Sequence, residues 1–296
     1  MSLSAVFTLT AAIVATGMSA MWLFSLALGD VSIVDVYWGV GFALICWSVA
    51  IAAASWTPRA ALLLVLVSVW ALRLALHLLL RWRRAGVEDR RYAAMRRKAG
   101  AGFARRSLVT VFALQGVLMW LISTPLQLAL LDSSTRLRWL GWAGVALFVL
   151  GFGCETIADA QLTRFRGASA NADRVLDVGL WAWSRHPNYF GEVVAWWGLF
   201  LVCVDGTGAW WTIVSPVIVT VLLLRVSGIP LLERGMHKRR PAYAAYVART
   251  SAFIRCRRGE RAPTVRPTSS ASAPPRDDAG AADDTRDHVR AVVREQ

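Results

Sequence analysis

The chain has 296 residues, 56% of them hydrophobic and 15 of them tryptophan, and a net charge of +14 from 33 Lys and Arg against 19 Asp and Glu. Apolar runs of the length seen here outrun the helices of a water-soluble core, which excludes a single soluble domain. The charge does not point to nucleic acid either, because it collects in loops between apolar runs with no stacking platform or groove-reading element beside it.

Residues 1–29 contain no Asp, Glu, Lys, Arg or His. They lack the basic leader and small-residue cleavage site of a signal peptide and read as a retained membrane span. Six further apolar runs follow, at 36–58, 60–80, 107–131, 139–158, 187–204 and 206–232. A bilayer crossing takes about 20 mostly apolar residues, so the expected fold is an all-α membrane protein of about seven transmembrane helices. Segment 81–106 holds ten Arg and Lys against two acids, 233–260 holds eight against two, and 159–185 adds four arginines. With seven spans all three segments share one face, while the opposite loops carry only Arg59, Arg136 and Arg138. The positive-inside rule then predicts an external N-terminus, a cytoplasmic C-terminus and residence in the bacterial cytoplasmic membrane.

Residues 1–257 read as one membrane domain. From Arg258 the chain turns to Ala, Pro, Ser and balanced charge with no aromatic residue, and 258–296 is expected to be a disordered cytoplasmic tail. There is no internal repeat of the kind on which inverted-repeat transporters are built. Trp56, Trp82, Trp139, Trp181, Trp183, Trp210 and Trp211 fall near predicted span ends and suit an interfacial belt. The four cysteines form no CxxC or Cys/His spacing, so neither a disulfide framework nor a metal site is expected.

Ionisable groups inside spans are candidates for function because they are costly there. Arg73, His77 and Arg81 recur every four residues and share one face of the third helix. Asp35, at the start of the second span, is the expected partner of Arg73. Glu155 and Asp159 are one turn apart at the end of the fifth helix, near Arg164 and Arg166, against which they are able to balance charge. The densest polar segment is Ser184-Arg185-His186-Pro187-Asn188-Tyr189-Phe190-Gly191-Glu192. Pro187 marks a helix start. Its free N–H groups, with Arg185 and His186 beside them, suit an anion such as phosphate. Asn188, Glu192 and Trp196 then run down one face into the membrane. That stripe suits a long ligand with phosphates at the tip and a buried reactive end; a capped helix with an interfacial Arg/His pair accounts for the same residues.

These residues lie within longer runs that resemble the bacterial DUF1295 family, part of the larger steroid 5-alpha-reductase group of membrane enzymes. The matching pieces are DVYWG at 35–39, WALRLALHLLLR at 70–81, GVEDRRY at 86–92, VFALQG at 111–116 and CETIADAQLTRF at 154–165. They continue with LDVGLWAW and SRHPNYFGEVVAWWG at 176–198, VSGIPLLE at 226–233 and RPAYAAYVARTSAFI at 240–254. The resemblance implies a seven-helix fold that binds NADPH from the cytoplasmic side and reduces a carbon–carbon double bond conjugated to a carbonyl. It implies dinucleotide contacts at Asp159, Arg166, Asn188 and Trp196, with Arg164 and Arg185 sharing the phosphates and His186, Tyr189 and Glu192 completing the set. The Gln-Glu pair that polarises the keto group in the steroid reductases has no counterpart on the second helix. Arg73 or His77, oriented by Asp35 or Tyr37, is therefore the expected catalytic group on a lipophilic substrate.

A second reading is an S-adenosylmethionine-dependent methyltransferase. The C-terminal half also resembles the isoprenylcysteine carboxyl methyltransferases, which carry a related RHP-x-Tyr segment. The arginines at 164, 166 and 185 favour a dinucleotide, which has more phosphate charge to neutralise. A non-enzymatic membrane protein or transporter leaves the 184–192 segment unexplained.

Overall fold

Seven helices of the computed structural model, which describes residues 1–171, 173–239 and 242–253, are long and apolar enough to cross a bilayer. They are α1 (Leu3–Leu28), α2 (Ile33–Ala52), α3 (Pro58–Ala85), α4 (Arg90–Ile122), α5 (Trp139–Gly167), α6 (Pro187–Thr207) and α7 (Trp210–Glu233). A short helix, Thr124–Leu131, precedes α5, and Ile229–Arg239 and Ala242–Arg249 continue beyond α7. No strand occurs among the described residues. The chain is thus an all-α, multi-pass membrane protein. The tail expected at 258–296 lies outside the described residues.

Local sequence explains the helix ends. Ser2 caps α1 by accepting from the Ala5 N–H, and Thr57 caps α3 by accepting from the Ala60 N–H ahead of Pro58. Gly29 and Gly86 close α1 and α3 at φ +67° and +62°, a conformation that favours glycine. Two of the long helices change pitch inside the membrane. Leu108–Ala113 in α4 and Leu222–Val226 in α7 are π-helical.

At the arginine-rich face the turn after α1 is bonded to the turn after α3. Asp30 takes the Trp82 indole N–H at 2.7 Å, Glu88 takes the Val31 N–H at 3.0 Å, and the Ser32 hydroxyl takes the Asp89 N–H at 2.7 Å. Asp89 also caps α4 through the Arg91 N–H and accepts from Arg91 Nε, each at 2.9 Å. Burial opposes the charge on Asp89, but Arg91 beside it outweighs burial and holds the carboxyl below the usual range. A depressed carboxyl stabilises the fold above its unfolded pKa and loses that contribution as pH falls through the folded one. Asp89→Ala is expected to cost about 0.5–2 kcal/mol at neutral pH. The difference from wild type, read as a detergent unfolding midpoint, should shrink below the usual carboxylate range.

At the opposite face one buried cation does the equivalent work. Arg59 Nη1 donates to Asp132 Oδ2 at 3.0 Å and Ser134 Oγ at 2.6 Å, and Nη2 donates to the Val202 and Cys203 carbonyls at 2.6 and 2.8 Å. Those carbonyls belong to the last turns of α6, and the Cys203 oxygen also accepts from the Thr207 hydroxyl at 3.0 Å.

α5 and α6 are the most intimately packed pair, and glycine is the reason. A Cβ on Gly144 would lie 2.7 Å from the Gly198 oxygen, on Gly151 2.4 Å from the Ala195 nitrogen, and on Gly191 2.4 Å from the Glu155 nitrogen. Without helix-to-helix hydrophobic drive in lipid, such close backbone contact supplies the association. Next to this pair, Phe42 of α2, Trp70 of α3 and Trp196 of α6 meet edge to face with centroids 4.8–5.9 Å apart. Most of the expected belt tryptophans are exposed, from Trp210 at 53% to Trp139 at 76%. Trp181 is a correction: it is buried, and its indole N–H donates to the Ala158 carbonyl at 3.1 Å.

Candidate functional site

The glycine-closed α5–α6 contact aligns the polar ends of both helices. Glu155 and Asp159 on α5 face Asn188 and Glu192 on α6, and α3 brings Arg73 and His77 to the same place. Arg73 Nη1 donates to Glu155 Oε1 at 2.6 Å, and Nη2 donates to the Glu155 carbonyl at 3.0 Å and to Asp159 Oδ2 at 2.5 Å. The pairing expected between Arg73 and Asp35 does not occur, and neither do ion pairs of Glu155 and Asp159 with Arg164 and Arg166. Arg73 lies more than three turns from either end of α3, level with the acids that the α5–α6 packing presents. Asp35 is at the membrane surface.

His77 Nε2 stands 3.7 Å from Asp159 Oδ2, beyond hydrogen-bond range, with 25% of its side chain exposed. Asn188 Nδ2 donates to Asp159 Oδ1 at 3.1 Å. Glu192 interacts electrostatically with Asp159 and Arg73 and makes no hydrogen bond among the described residues. One guanidinium thus faces three carboxylates. Asn188 Oδ1 is buried with no hydrogen-bond partner, while the Trp70 indole N–H lies against the Glu155 carboxylate. Buried polar atoms are nearly always satisfied, so the Asn188 oxygen makes this a candidate position for a ligand.

The mouth above the cluster is basic. Arg81 and Arg166 act electrostatically on His77, and Arg81 and Arg91 act on Tyr189. Arg164 and Arg166 are exposed at the end of α5. The helix tip itself differs from expectation. Arg185 Nε donates to Glu233 Oε1 at 2.8 Å, and His186 Nε2 lies 2.9 Å from the same oxygen. Arg185 also donates to the Thr250 carbonyl at 2.7 Å. These two cations hold the segment beyond α7 against the start of α6, and Glu233 balances their charge, so they are not a free phosphate site. Tyr189 stacks on His186 at 5.7 Å. Trp196 is 2% exposed inside the aromatic cluster, where it packs the core and presents no surface to a ligand.

Asp35 belongs to a second polar centre. It accepts from Arg91 Nη2 at 2.6 Å and from the Tyr92 hydroxyl at 2.7 Å, and Gln115 Nε2 donates to that hydroxyl at 3.2 Å. Tyr37 joins neither centre. Its hydroxyl presses on α1, where a Cβ on Gly17 would lie only 1.9 Å away. Tyr92 and Gln115 were not among the expected site residues, although both fall in runs that carry the family resemblance. No group of three or more His, Cys, Asp or Glu able to hold a metal ion occurs among the described residues.

A family model described as "Protein of unknown function (DUF1295)" matches residues 21–250, and the chain belongs to that family. No curated protein and no solved structure matches it.

Proposed function

We propose that this DUF1295 protein is a membrane oxidoreductase that takes NADPH from the cytoplasmic side and reduces a carbon–carbon double bond conjugated to a carbonyl in a lipophilic substrate. The observation that carries the reading is a graded site, acidic at depth and basic at its mouth. Arg81, Arg164 and Arg166 at the mouth suit the phosphates of a dinucleotide, and placing them on the cytoplasmic side follows the arginine distribution. Asn188 Oδ1 is an acceptor in need of a donor, such as an amide or a ribose hydroxyl. Asn188, Glu155, Asp159 and Glu192 would hold the reactive end of NADPH, which would supply the hydride, and the three carboxylates would offset positive charge there.

The remaining roles fall to the chain. Arg73 is spent on Glu155 and Asp159 and positions both. His77, on the same face of α3 and partly open, is the group we assign to donate a hydrogen bond from Nε2 to the substrate carbonyl. As charge develops on that oxygen, the same atom hands it a proton. Asp159, 3.7 Å from that same nitrogen, stabilises the ring in its protonated form. His77→Phe is expected to abolish turnover while the NADPH dissociation constant stays within a few-fold of wild type.

The excess of carboxylates also suits the cationic S-adenosylmethionine, so the methyltransferase reading is tested in the same experiment. Thermal unfolding of the detergent-purified protein is followed with each ligand. NADPH at 100 times its dissociation constant should stabilise by about 2.7 kcal/mol. Asn188→Ala should weaken that effect. Stabilisation by S-adenosylmethionine alone, or by neither ligand, would overturn the reductase reading.

A further inference from the structure

A trough on the far side of α2 from the Arg73 cluster has no part in this chemistry. It runs between α1 and α4 and encloses about 330 Å³. Val14 and Met18 form one wall, Phe112 and Gly116 the other, and Ala15 and Ala113 open it outward. Small residues at the helix contact keep it wide, and the π-helical Leu108–Ala113 forms its upper part. Tryptophan indoles tie α1 to α4 near both ends and leave the trough open along its side. At one, the Trp22 indole N–H donates to the Ala104 carbonyl at 2.9 Å. At the other, the Trp120 indole N–H donates to the Thr10 hydroxyl at 3.1 Å, and the Phe7 and Trp120 rings meet at 5.6 Å. On α1 the lining runs from Ala11 to Ser19, which sets a length of about 12 Å.

The chemistry of the trough is graded along that length. Its lining is almost wholly apolar, whereas Arg105 and Arg106, just ahead of Leu108 on the arginine-rich face, are exposed and their side chains make no hydrogen bond or ion pair among the described residues. Two such guanidinium groups at the surface, beside an apolar trough about 12 Å long and open to the bilayer, match one class of molecule. We infer that the α1–α4 trough is a binding site for an anionic phospholipid, with one acyl chain along the trough and the phosphate on Arg105 and Arg106. Lipid in this place fills the space beside α1, a helix with few buried residues of its own, and holds it against α4.

The test compares unfolding midpoints of the full chain in detergent micelles titrated with phosphatidylglycerol or phosphatidylcholine. Phosphatidylglycerol is expected to stabilise at the lower concentration. Arg105→Gln with Arg106→Gln should weaken its apparent affinity about 30-fold while leaving that of phosphatidylcholine nearly unchanged. Ala15→Leu with Ala113→Leu, both at exposed lining positions, should fill the trough and remove stabilisation by either lipid without lowering the lipid-free midpoint. Equal stabilisation of the wild type by both lipids would overturn the proposal. So would a filled-trough variant that keeps its response to phosphatidylglycerol.

Discussion

Arg73→Met is expected to destabilise the protein by about 3–5 kcal/mol, because it strands two carboxylates inside the bundle. The Glu155 and Asp159 side chains are 3% and 8% exposed, and both take their charge-assisted bonds from this one guanidinium. The Glu155 carbonyl loses a donor as well. The loss should appear as a lower unfolding midpoint in detergent and a smaller folded yield. A combined variant separates this origin from general damage. Adding Glu155→Gln and Asp159→Asn to Arg73→Met removes the uncompensated charge and should recover much of the midpoint, a non-additivity expected of groups in one network. If Arg73→Met alone were as stable as wild type but failed to bind NADPH, the arginine would belong to the ligand and the acids would be its neighbours only.

Arg59→Met should cost a similar amount, about 3–5 kcal/mol, with a different signature. The Arg59 side chain is 2% exposed and feeds four acceptors, so its loss leaves the Asp132 carboxylate without its counter-charge and takes a donor from the last turns of α6. Arg59→Lys keeps the charge but not the planar fork and should recover only part of the stability. Gly206→Ala should act on the same network, because its methyl would fall 1.3 Å from Arg59 Nη1. Arg59 is fourteen residues from Arg73 on one helix, about 21 Å away. The folded fraction of Arg59→Met should therefore bind NADPH with wild-type affinity, measured by titration of the folded protein at low temperature. A large loss of affinity would show that the two ends of α3 are coupled.

Membrane thickness makes a sequence unusually informative about one level of structure and silent about the next. The seven spans were legible because a helix must carry about 20 apolar residues to cross, and the runs between charged segments have that length. Pro187 announced the start of α6, and four-residue spacing put Arg73 with His77, Glu155 with Asp159, and Asn188 with Glu192 on shared faces. Those facts concern single helices. Which face meets which depends on packing, and there the linear order misled: Asp35, on the preceding helix, was the expected partner of Arg73, yet it faces Arg91 and Tyr92 at the surface. Arg185 and His186 stand at a helix tip built for anions, yet Glu233 reaches them from the end of α7. A signal for the decisive contact was present in Gly144, Gly151, Gly191 and Gly198, spaced by seven on each of two helices. Spacing of that kind marks a face that permits close approach without saying what approaches it. Only in three dimensions do the two glycine faces meet, and their backbone contact sets Glu155 and Asp159 opposite Asn188 and within reach of Arg73. Sequence determined the helices, their ends and the polar stripe on each. The tertiary structure decided the site, because a buried charge takes as its partner whatever the packing of neighbouring helices brings to the same depth.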